Sequence, residues 1–418
     1  MFATLKQIFN PKNKDIRKKI YFTLFALFIF KLGTAIVIPG INKAQLGLST
    51  LKYFQLLNVM GGGALEQFSI FALGVSPYIT ASFIIQLLQM DIIPYLADLA
   101  KEGHTGQVKL NKITRYLGIA MAFIQGYMFS FAIIQGGSFE QYLKFALVMT
   151  AGTSLLLWLG DQMTQKGIGN GISMIIMAGI LMTLPNTFVQ AYQIFMEGAT
   201  VAGIIKFVVY ILLYIFIVLA VVFEENAERR IPIQYSNRTT SAYGQKQSYI
   251  PFRLNSAGVI PVIFASALLQ MPAFIAQFFK VEKITTFTEK WLSTTSPTGF
   301  ILYILLIFGF SYFYTYAQLK PKDMAENLQK NGGYIPGVRP GEATITYIKN
   351  VINHITFVGA ALLALLAALP TIFVWITGLS SSIALGGTGL LIVVGVALET
   401  YKQLESLILS RNYTKGRR

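Results

Sequence analysis

The stretch GGGALEQFSIFALGVSPYITAS, residues 61–82, is the most informative in the chain. Three glycines precede an apolar, helix-like run from Ala64 to Leu73. That run is too short to cross a bilayer, because a spanning helix needs about 20 apolar residues. Gly74 and Pro77 then separate it from a long hydrophobic segment. We therefore predict a short half-helix that is joined to a membrane span without being part of it.

Composition indicates a membrane protein of several spans. The 418 residues are 54% hydrophobic and only 12% charged, whereas soluble domains carry about 25% charged residues. No alternating β-barrel pattern is present, so the spans are predicted to be helices, which satisfy their own backbone polar groups. Ten apolar segments have about the length of a spanning helix, at roughly residues 20–38, 71–93, 113–135, 141–160, 168–189, 203–223, 256–278, 299–319, 348–371 and 383–401.

The second and seventh of these segments begin with similar sequences. GVSPYITAS, residues 74–82, matches GVIPVIFAS, residues 258–266, in its Gly, Val, Pro, Ile, Ala and Ser positions. The two segments hold the same place in two sets of five, and they cross the membrane in opposite directions. Inverted halves of this kind often enclose a path or a site at their interface. The predicted fold is therefore all-α, with ten transmembrane helices in two inverted five-helix halves and a short plug-like helix.

Charge predicts the orientation of the chain. Most of the 34 Lys and Arg residues fall in the two tails and in the even-numbered connections between segments. By the positive-inside rule, both termini and these connections are predicted to be cytoplasmic. The expected organisation is a cytoplasmic tail over residues 1–19, an N-terminal half over 20–189, a C-terminal half over 190–401 and a second cytoplasmic tail over 402–418.

Residues suited to catalysis or ion coupling are scarce. There is no cysteine, and the two histidines, His104 and His354, have no partner at metal-ligand spacing. No nucleophile motif is found, so neither an enzyme nor a cofactor is expected. Carboxylates are absent from the span centres, where ion-coupled transporters usually place them. The one charge well inside a span is Lys31, which either extends its amine to the membrane surface or faces an aqueous cavity. A passive conduit is therefore favoured over a pump.

Two long cytoplasmic connections are predicted to bind a partner. Residues 224–254 are rich in Arg, Gln, Ser and Tyr, and residues 320–346 contain several Gly and Pro turn signals. The alternative is a pair of solvated loops. Long, basic and structured connections would suit a large cytosolic partner, and their arginines could also bind the RNA phosphates of a ribosome.

Seven motifs stand out along the chain. They are residues 61–88, KEGHTGQVKLNKITRY, GIGNGIS, ERRIPIQY, QSYIPFRLNSAGVIPVIFAS, NLQKNGGYIPGVRPGEAT and GGTGLLIVVGVALET. Taken together, they resemble the signature segments of the SecY family nearly from end to end. This resemblance implies the channel subunit of the bacterial protein-translocation machinery, in the cytoplasmic membrane. The expected partners are SecE and SecG in the membrane, the SecA ATPase or the ribosome as the driver, signal-bearing preproteins as cargo, and membrane lipid.

The resemblance also implies four groups of functional residues. The plug is expected at about residues 61–73, the pore ring is expected to be apolar, the lateral gate polar, and the docking positions basic. The plug residues are Gly61, Gly62, Gly63, Glu66, Gln67, Phe68, Ile70, Phe71 and Leu73, and the pore-ring residues are Val75, Ile79, Ile176, Ile180, Ile263 and Ile392. The lateral-gate residues are Thr80, Gln86 and Asn255, and the docking residues are Arg238, Arg253 and Arg339.

Two other functions fit parts of the pattern. A secondary transporter of a small solute shares the number of spans and the inverted repeat, and would need a closed solute pocket or a mid-membrane carboxylate. An intramembrane hydrolase would need a Ser–His or Asp–Asp pair facing across helices. Within the family, an accessory channel for special substrates stays an alternative to the housekeeping one.

Overall fold

The computed structural model describes most of the chain, and every structural statement below concerns the described residues. They are residues 14–40, 55–89, 92–134, 136–196, 201–235, 248–279, 282–293, 296–378 and 381–415.

Each of the ten predicted spans corresponds to one helix, although the second is only 13 residues long. Within the described residues, six of these helices are long and apolar enough to cross a membrane, and two more contain shorter apolar helical stretches, Ser76–Leu88 and Ile260–Leu269. The ten helices are α1 (Lys14–Ala35), α3 (Ser76–Leu88), α5 (His104–Ile133), α6 (Phe139–Lys166), α7 (Gly171–Met196), α8 (Val201–Asn226), α9 (Ile260–Phe279), α11 (Pro297–Leu319), α13 (Glu342–Thr377) and α14 (Ser381–Lys415).

Shorter elements lie between the long helices. They are α2 (Gln55–Met60), α4 (Pro94–Lys101), α10 (Glu282–Trp291), α12 (Pro321–Lys330) and the strands β1 (Glu228–Tyr235), β2 (Ser248–Arg253) and β3 (Gly333–Tyr334).

The two related motifs enter their helices in the same way. Gly74 and Gly258 both have positive φ, at 56° and 63°, a conformation that glycine adopts without steric cost. The amide nitrogens of Ile79 and Ile263 then donate to the carbonyl oxygens four residues earlier, at 3.2 and 3.3 Å. The sequence repeat between the second and seventh spans is therefore also a repeat of backbone geometry, as two inverted halves require.

The plug segment, residues 61–75, differs from the predicted short helix. It forms consecutive turns after α2 rather than an α-helix. Gly62, Gly63 and Phe68 all have positive φ, which interrupts helical geometry. Part of its backbone bonds instead to the segment after α1, because Ile38 N donates to the Phe68 carbonyl oxygen at 2.9 Å. The prediction of a helix here is wrong, whereas the separation of this segment from α3 is as expected.

The described parts of the connections after α8 and after α11 form a folded module, which the helical prediction did not include. The strands pair antiparallel in the order β2-β1-β3, so the sheet combines the connection after α8 with the one after α12. Its apolar residues pack against α12 and the beginning of α13. We call this unit the docking module: β1, β2, β3, α12 and residues 342–352 of α13. The interpretation as two solvated loops is wrong for the described part.

Contacts at one end of the molecule agree with the alternating direction of the spans. Ile16 at the start of α1, Ile168 in the connection after α6, and Leu404 and Ile408 near the end of α14 form one buried apolar cluster. The N-terminal end, an even-numbered connection and the C-terminal end therefore meet on one side. Lys31 is exposed on α1.

Candidate functional site

The plug segment is packed into the N-terminal half. Leu65, Phe68 and Leu73 are buried in a cluster with residues of α5 and α6. The ring centroids of Phe68 and Phe129 lie 6.3 Å apart, and Phe71 stacks on Phe30 of α1 at 6.1 Å. Aromatic pairs at such distances stabilise packing beyond the area that they bury. The segment therefore lies inside the helical assembly, where lipid does not reach its apolar side chains.

Backbone atoms of the plug segment lie unusually close to a neighbouring helix. A Cβ atom added at Gly152 of α6 would lie 2.0 Å from the Ile70 carbonyl oxygen, closer than any side chain can fit. Thr153, the next residue, donates from Oγ1 to the Gly74 carbonyl oxygen at 3.2 Å. Helix α6 thus holds the segment through its backbone as well as its side chains.

Asn58 of α2 provides a second backbone attachment. Its carbonyl oxygen accepts from Gly63 N at 2.8 Å, and its Oδ1 accepts from Glu66 N at 3.1 Å. Asn58 itself is buried. The predicted plug residues Glu66 and Gln67 are exposed, whereas Gly61, Gly62, Phe68, Phe71 and Leu73 are buried and Gly63 and Ile70 are half-buried.

The six predicted ring residues come together in the central apolar cluster of the molecule. Five of them are buried within it, and Ile263 is partly buried and packs against it. They are contributed by the first turns of α3 and α9, by α7 and by α14, so both halves supply side chains. The buried five are Val75, Ile79, Ile176, Ile180 and Ile392.

A cavity of about 230 Å³ ends on this cluster. Ile176, Ile263 and Ile392 are among its apolar lining residues, and the docking module contributes Arg253. Its polar lining includes Glu225, Asn255 and Glu399. The cavity is therefore polar on the side of the docking module and apolar where it meets the predicted ring.

Asn255 belongs to this polar wall. Its Nδ2 donates to the Gly258 carbonyl oxygen at 3.1 Å and lies 3.5 Å from Glu225 Oε1. Lys402 of α14 donates to the Glu225 carbonyl oxygen at 2.6 Å, and burial together with the nearby Arg253 guanidinium lowers the pKa of Lys402. The structure thus places Asn255 beside the end of α8.

Thr80 and Gln86 lie on α3, which faces α9 across a narrow lateral seam. Thr80 lines a crevice of about 20 Å³ at this seam, together with residues of α9. Its hydroxyl donates within its own helix to the Ser76 carbonyl oxygen at 3.3 Å, and Gln86 Oε1 is buried without a hydrogen-bond partner. Neither side chain is hydrogen-bonded across the seam among the described residues.

Three phenylalanines that the sequence did not reveal close this seam. Phe83 of α3 lies 4.9 Å from Phe264 of α9 and 5.3 Å from Phe310 of α11, measured between ring centroids. Phe264 and Phe310 lie 6.1 Å apart. Phe264 falls within the repeated motif and Phe83 directly after it, which is a weak signal in a chain with 32 phenylalanines. We call Phe83, Phe264 and Phe310 the aromatic triangle.

Two of the three predicted docking arginines lie on or directly beside the docking module. Arg253 ends β2 and Arg339 precedes α13, and both are exposed. The Arg339 carbonyl oxygen accepts from Thr344 Oγ1 at 2.9 Å, which fixes the turn before the helix. Arg238 lies outside the described residues.

Comparison with known proteins gives consistent matches over nearly the whole chain. The family model described as SecY matches residues 69–401. The chain is 44% identical to the protein translocase subunit SecY of Bacillus subtilis over 427 residues, and 46% identical to that of Staphylococcus aureus over 426 residues. Each alignment covers 99% of both chains.

Solved structures share the fold at lower identity. One, described as the structure of a protein conducting channel, has a TM-score of 0.63 at 20% identity and is matched over 94% of this chain and 92% of its own. A second concerns the plug domain of the SecY protein, with a TM-score of 0.65 at 21% identity and the same coverage. A third is Sec61 in a canine ribosome-channel complex, with a TM-score of 0.63 at 20% identity.

Proposed function

The chain belongs to the SecY family, and we propose that its two inverted halves form the path by which unfolded, signal-bearing polypeptides cross the cytoplasmic membrane. It is a multi-pass subunit of a protein translocase. The observation that carries the proposal is the cavity that reaches from the docking module to branched aliphatic side chains of both halves, among them Ile176, Ile263 and Ile392. The matched relatives give no support to a transporter of small solutes.

We propose that the six predicted ring residues, Val75, Ile79, Ile176, Ile180, Ile263 and Ile392, form the pore ring. Branched aliphatic side chains offer no fixed hydrogen bonds to a passing polypeptide, so they cannot hold it tightly. An apolar constriction also disfavours a continuous water column and hence ion leak. Such a path needs no catalytic group, and we infer that the chain is a channel subunit rather than an enzyme.

The plug segment is proposed to seal the path on the far side of the ring. Its burial against α5 and α6 keeps its apolar side chains out of lipid, and Glu66 and Gln67 can face an aqueous funnel because they are exposed. The seam between α3 and α9 is proposed as the lateral gate that releases hydrophobic segments into lipid. Closure by the aromatic triangle supports this role, since apolar contacts can separate without leaving polar groups unpaired.

The docking module is the proposed binding surface for SecA or the ribosome, with SecE and SecG as partners in the membrane. Exposed Arg253 and Arg339 would bind carboxylates or phosphates. We infer that the module and both termini face the cytoplasm, because the basic connections lie at that end. We also propose that residues 20–189 form the N-terminal half and residues 190–401 the C-terminal half.

One assay tests the proposed function. The chain would be reconstituted with SecE in vesicles, and SecA, ATP and a signal-bearing preprotein would be added from outside. We expect ATP-dependent protection of the preprotein from protease, and none for the same preprotein without its signal. No protection, combined with uptake of a small solute, would overturn the proposal.

The ring has its own test. Replacing Ile79 and Ile263 by Ser places two hydroxyls in the constriction and should favour a continuous water column, so resting ion conductance should rise about tenfold. Val189→Ser, at an exposed apolar position of α7, is the matched control. Conductance equal to that of the unmodified channel would remove Ile79 and Ile263 from the constriction.

A further inference from the structure

Helices α11 and α13 are joined along their length by contacts that line neither the path nor the seam. Near one end, Phe300 packs edge-on against Trp375 with centroids 4.9 Å apart. Further along, Phe308 lies 6.0 Å from Phe357. These apolar contacts hold the helices together but have little directional preference. They leave the relative position of the two helices along their axes weakly determined.

Two hydrogen bonds cross this interface at Asn353. Tyr312 and Tyr316, one turn apart on α11, both donate their hydroxyls to Asn353 of α13. Tyr312 bonds to the Asn353 carbonyl oxygen at 3.3 Å, and Tyr316 bonds to its Oδ1. We call these three residues the tyrosine clasp. Because both atoms of Asn353 are engaged by adjacent turns, sliding either helix along the other would break both hydrogen bonds.

On one side, the clasp is continuous with the docking module. Ile348 and Ile352, in the turns of α13 just before Asn353, are buried with Ile231 and Phe252 of the sheet. Tyr316 itself packs against the same cluster. The docking module and this part of α13 therefore form one packed body, so a displacement of the module displaces Asn353.

On the other side, the clasp is adjacent to the seam. Phe310 precedes Tyr312 by two residues on the same helix, and it contacts both Phe83 and Phe264 in the aromatic triangle. Since a helix is stiff over two turns, a displacement of α11 at Tyr312 and Tyr316 also displaces the Phe310 ring. The clasp is thus one link between the docking module and the seam, beside the direct chain connection from α11 through Lys320 to α12.

We propose that the tyrosine clasp transmits a displacement of the docking module to α11 and thereby withdraws Phe310 from the seam. Tyr312, Tyr316 and Asn353 are positioning residues in this scheme, because they touch neither the polypeptide path nor the partner surface. The inference rests on the proposed function, since it assumes that a partner binds the module and that the seam opens laterally.

The test uses the absence of cysteine from the natural sequence. Spin labels on Ile84→Cys in α3 and Leu268→Cys in α9 would report the width of the seam in the full chain reconstituted with SecE. Pulsed electron spin resonance would measure the distance distribution with and without SecA and a non-hydrolysable ATP analogue. Binding of SecA would be measured separately on the same samples.

Removing only the two hydroxyls gives the decisive variant. In Tyr312→Phe/Tyr316→Phe, the ratio of open to closed seam with SecA bound should fall about fivefold, since two interhelical hydrogen bonds are lost, while the affinity for SecA stays within about twofold. Tyr21→Phe, at an exposed tyrosine of α1 outside the docking module and the seam, should change neither quantity. Asn353→Leu should reproduce the double variant, and a thermal unfolding measurement shows that each variant is folded.

Two outcomes would overturn the inference. One is a seam that opens fully in the folded double variant with SecA bound. The other is a seam that stays closed in the unmodified chain although SecA binds, because there is then no displacement to transmit. The protease-protection assay judges the proposed function in both cases, so a failure of the clasp is distinguishable from a failure of the channel.

Discussion

The plug segment and the lateral seam close the same proposed path by different means. The plug segment is held by hydrogen bonds from three elements: the segment after α1, Asn58 of α2 and Thr153 of α6. At the seam, the described side chains of α3 and α9 form no hydrogen bond with each other. The seam is closed by the aromatic triangle above a small crevice.

The hydrogen-bonded plug segment is therefore held in one geometry, whereas the aromatic contacts of the seam can open towards lipid. Buried backbone groups that lose their partners are costly, so the plug segment has one well-defined seat. The aromatic side chains at the seam can replace their contacts with each other by contacts with the apolar surface of a passing helix, and hydrogen bonding then changes little. We therefore expect a substitution that disrupts the backbone packing of the plug seat to have a larger effect than one at the seam, and loss of a single side-chain hydrogen bond of the plug seat to have a smaller one.

The largest effect is expected at Gly152. Gly152→Ala places a methyl group where the Ile70 carbonyl oxygen lies, and overpacking of this kind costs about 1–3 kcal/mol. The unseated plug should raise resting ion conductance by about 10- to 100-fold, measured in planar bilayers. Gly309→Ala is the matched control, since its added Cβ would meet no atom within 4 Å apart from those of its chain neighbours and its own helix backbone. If both variants conduct alike, backbone contact with α6 does not seat the plug.

A smaller effect is expected at the aromatic triangle. Phe83→Ala removes two ring contacts, worth about 0.5–1.5 kcal/mol each beyond the buried area. The seam should open more readily, so release of a marginally hydrophobic segment into lipid should rise about fivefold, measured by alkaline extraction of the translocated product. Phe28→Ala, at an exposed position of α1, should have no such effect. An unchanged yield would show that the triangle does not limit opening.

The smallest effect is expected at Asn58. Asn58→Ala deletes the Oδ1 acceptor of Glu66 N but leaves the backbone bond to Gly63. One neutral hydrogen bond contributes about 0.5–1.5 kcal/mol, so resting conductance should rise only about threefold. Asn226→Ala, an exposed residue whose side chain bonds within its own helix, is the control. A rise as large as that of Gly152→Ala would mean that side-chain bonds, rather than backbone packing, dominate the plug seat.

Local sequence predicted some features of the site and not others. The repeat around Gly74 and Gly258 located the first turns of α3 and α9. A glycine with positive φ and a proline three residues later mark the start of each helix, and both are features of the local sequence. The apolar ring residues follow from the resemblance and do fall in one cluster. The proximity of Asn255 to Glu225, which lies 30 residues earlier on α8, could not be predicted from local sequence.

The sequence by itself determined the ten membrane helices, the inverted repeat and the family, since apolar length, charge distribution and long specific motifs are properties of local sequence. Only the tertiary structure decided that the plug segment is a series of turns, that two distant connections share one sheet, and that three phenylalanines close the seam. Those features depend on backbone bonds and ring contacts between elements far apart in the chain. Such contacts cannot be recognised from sequence periodicity, because the apolar pattern of each helix or strand is the same whichever distant element it contacts.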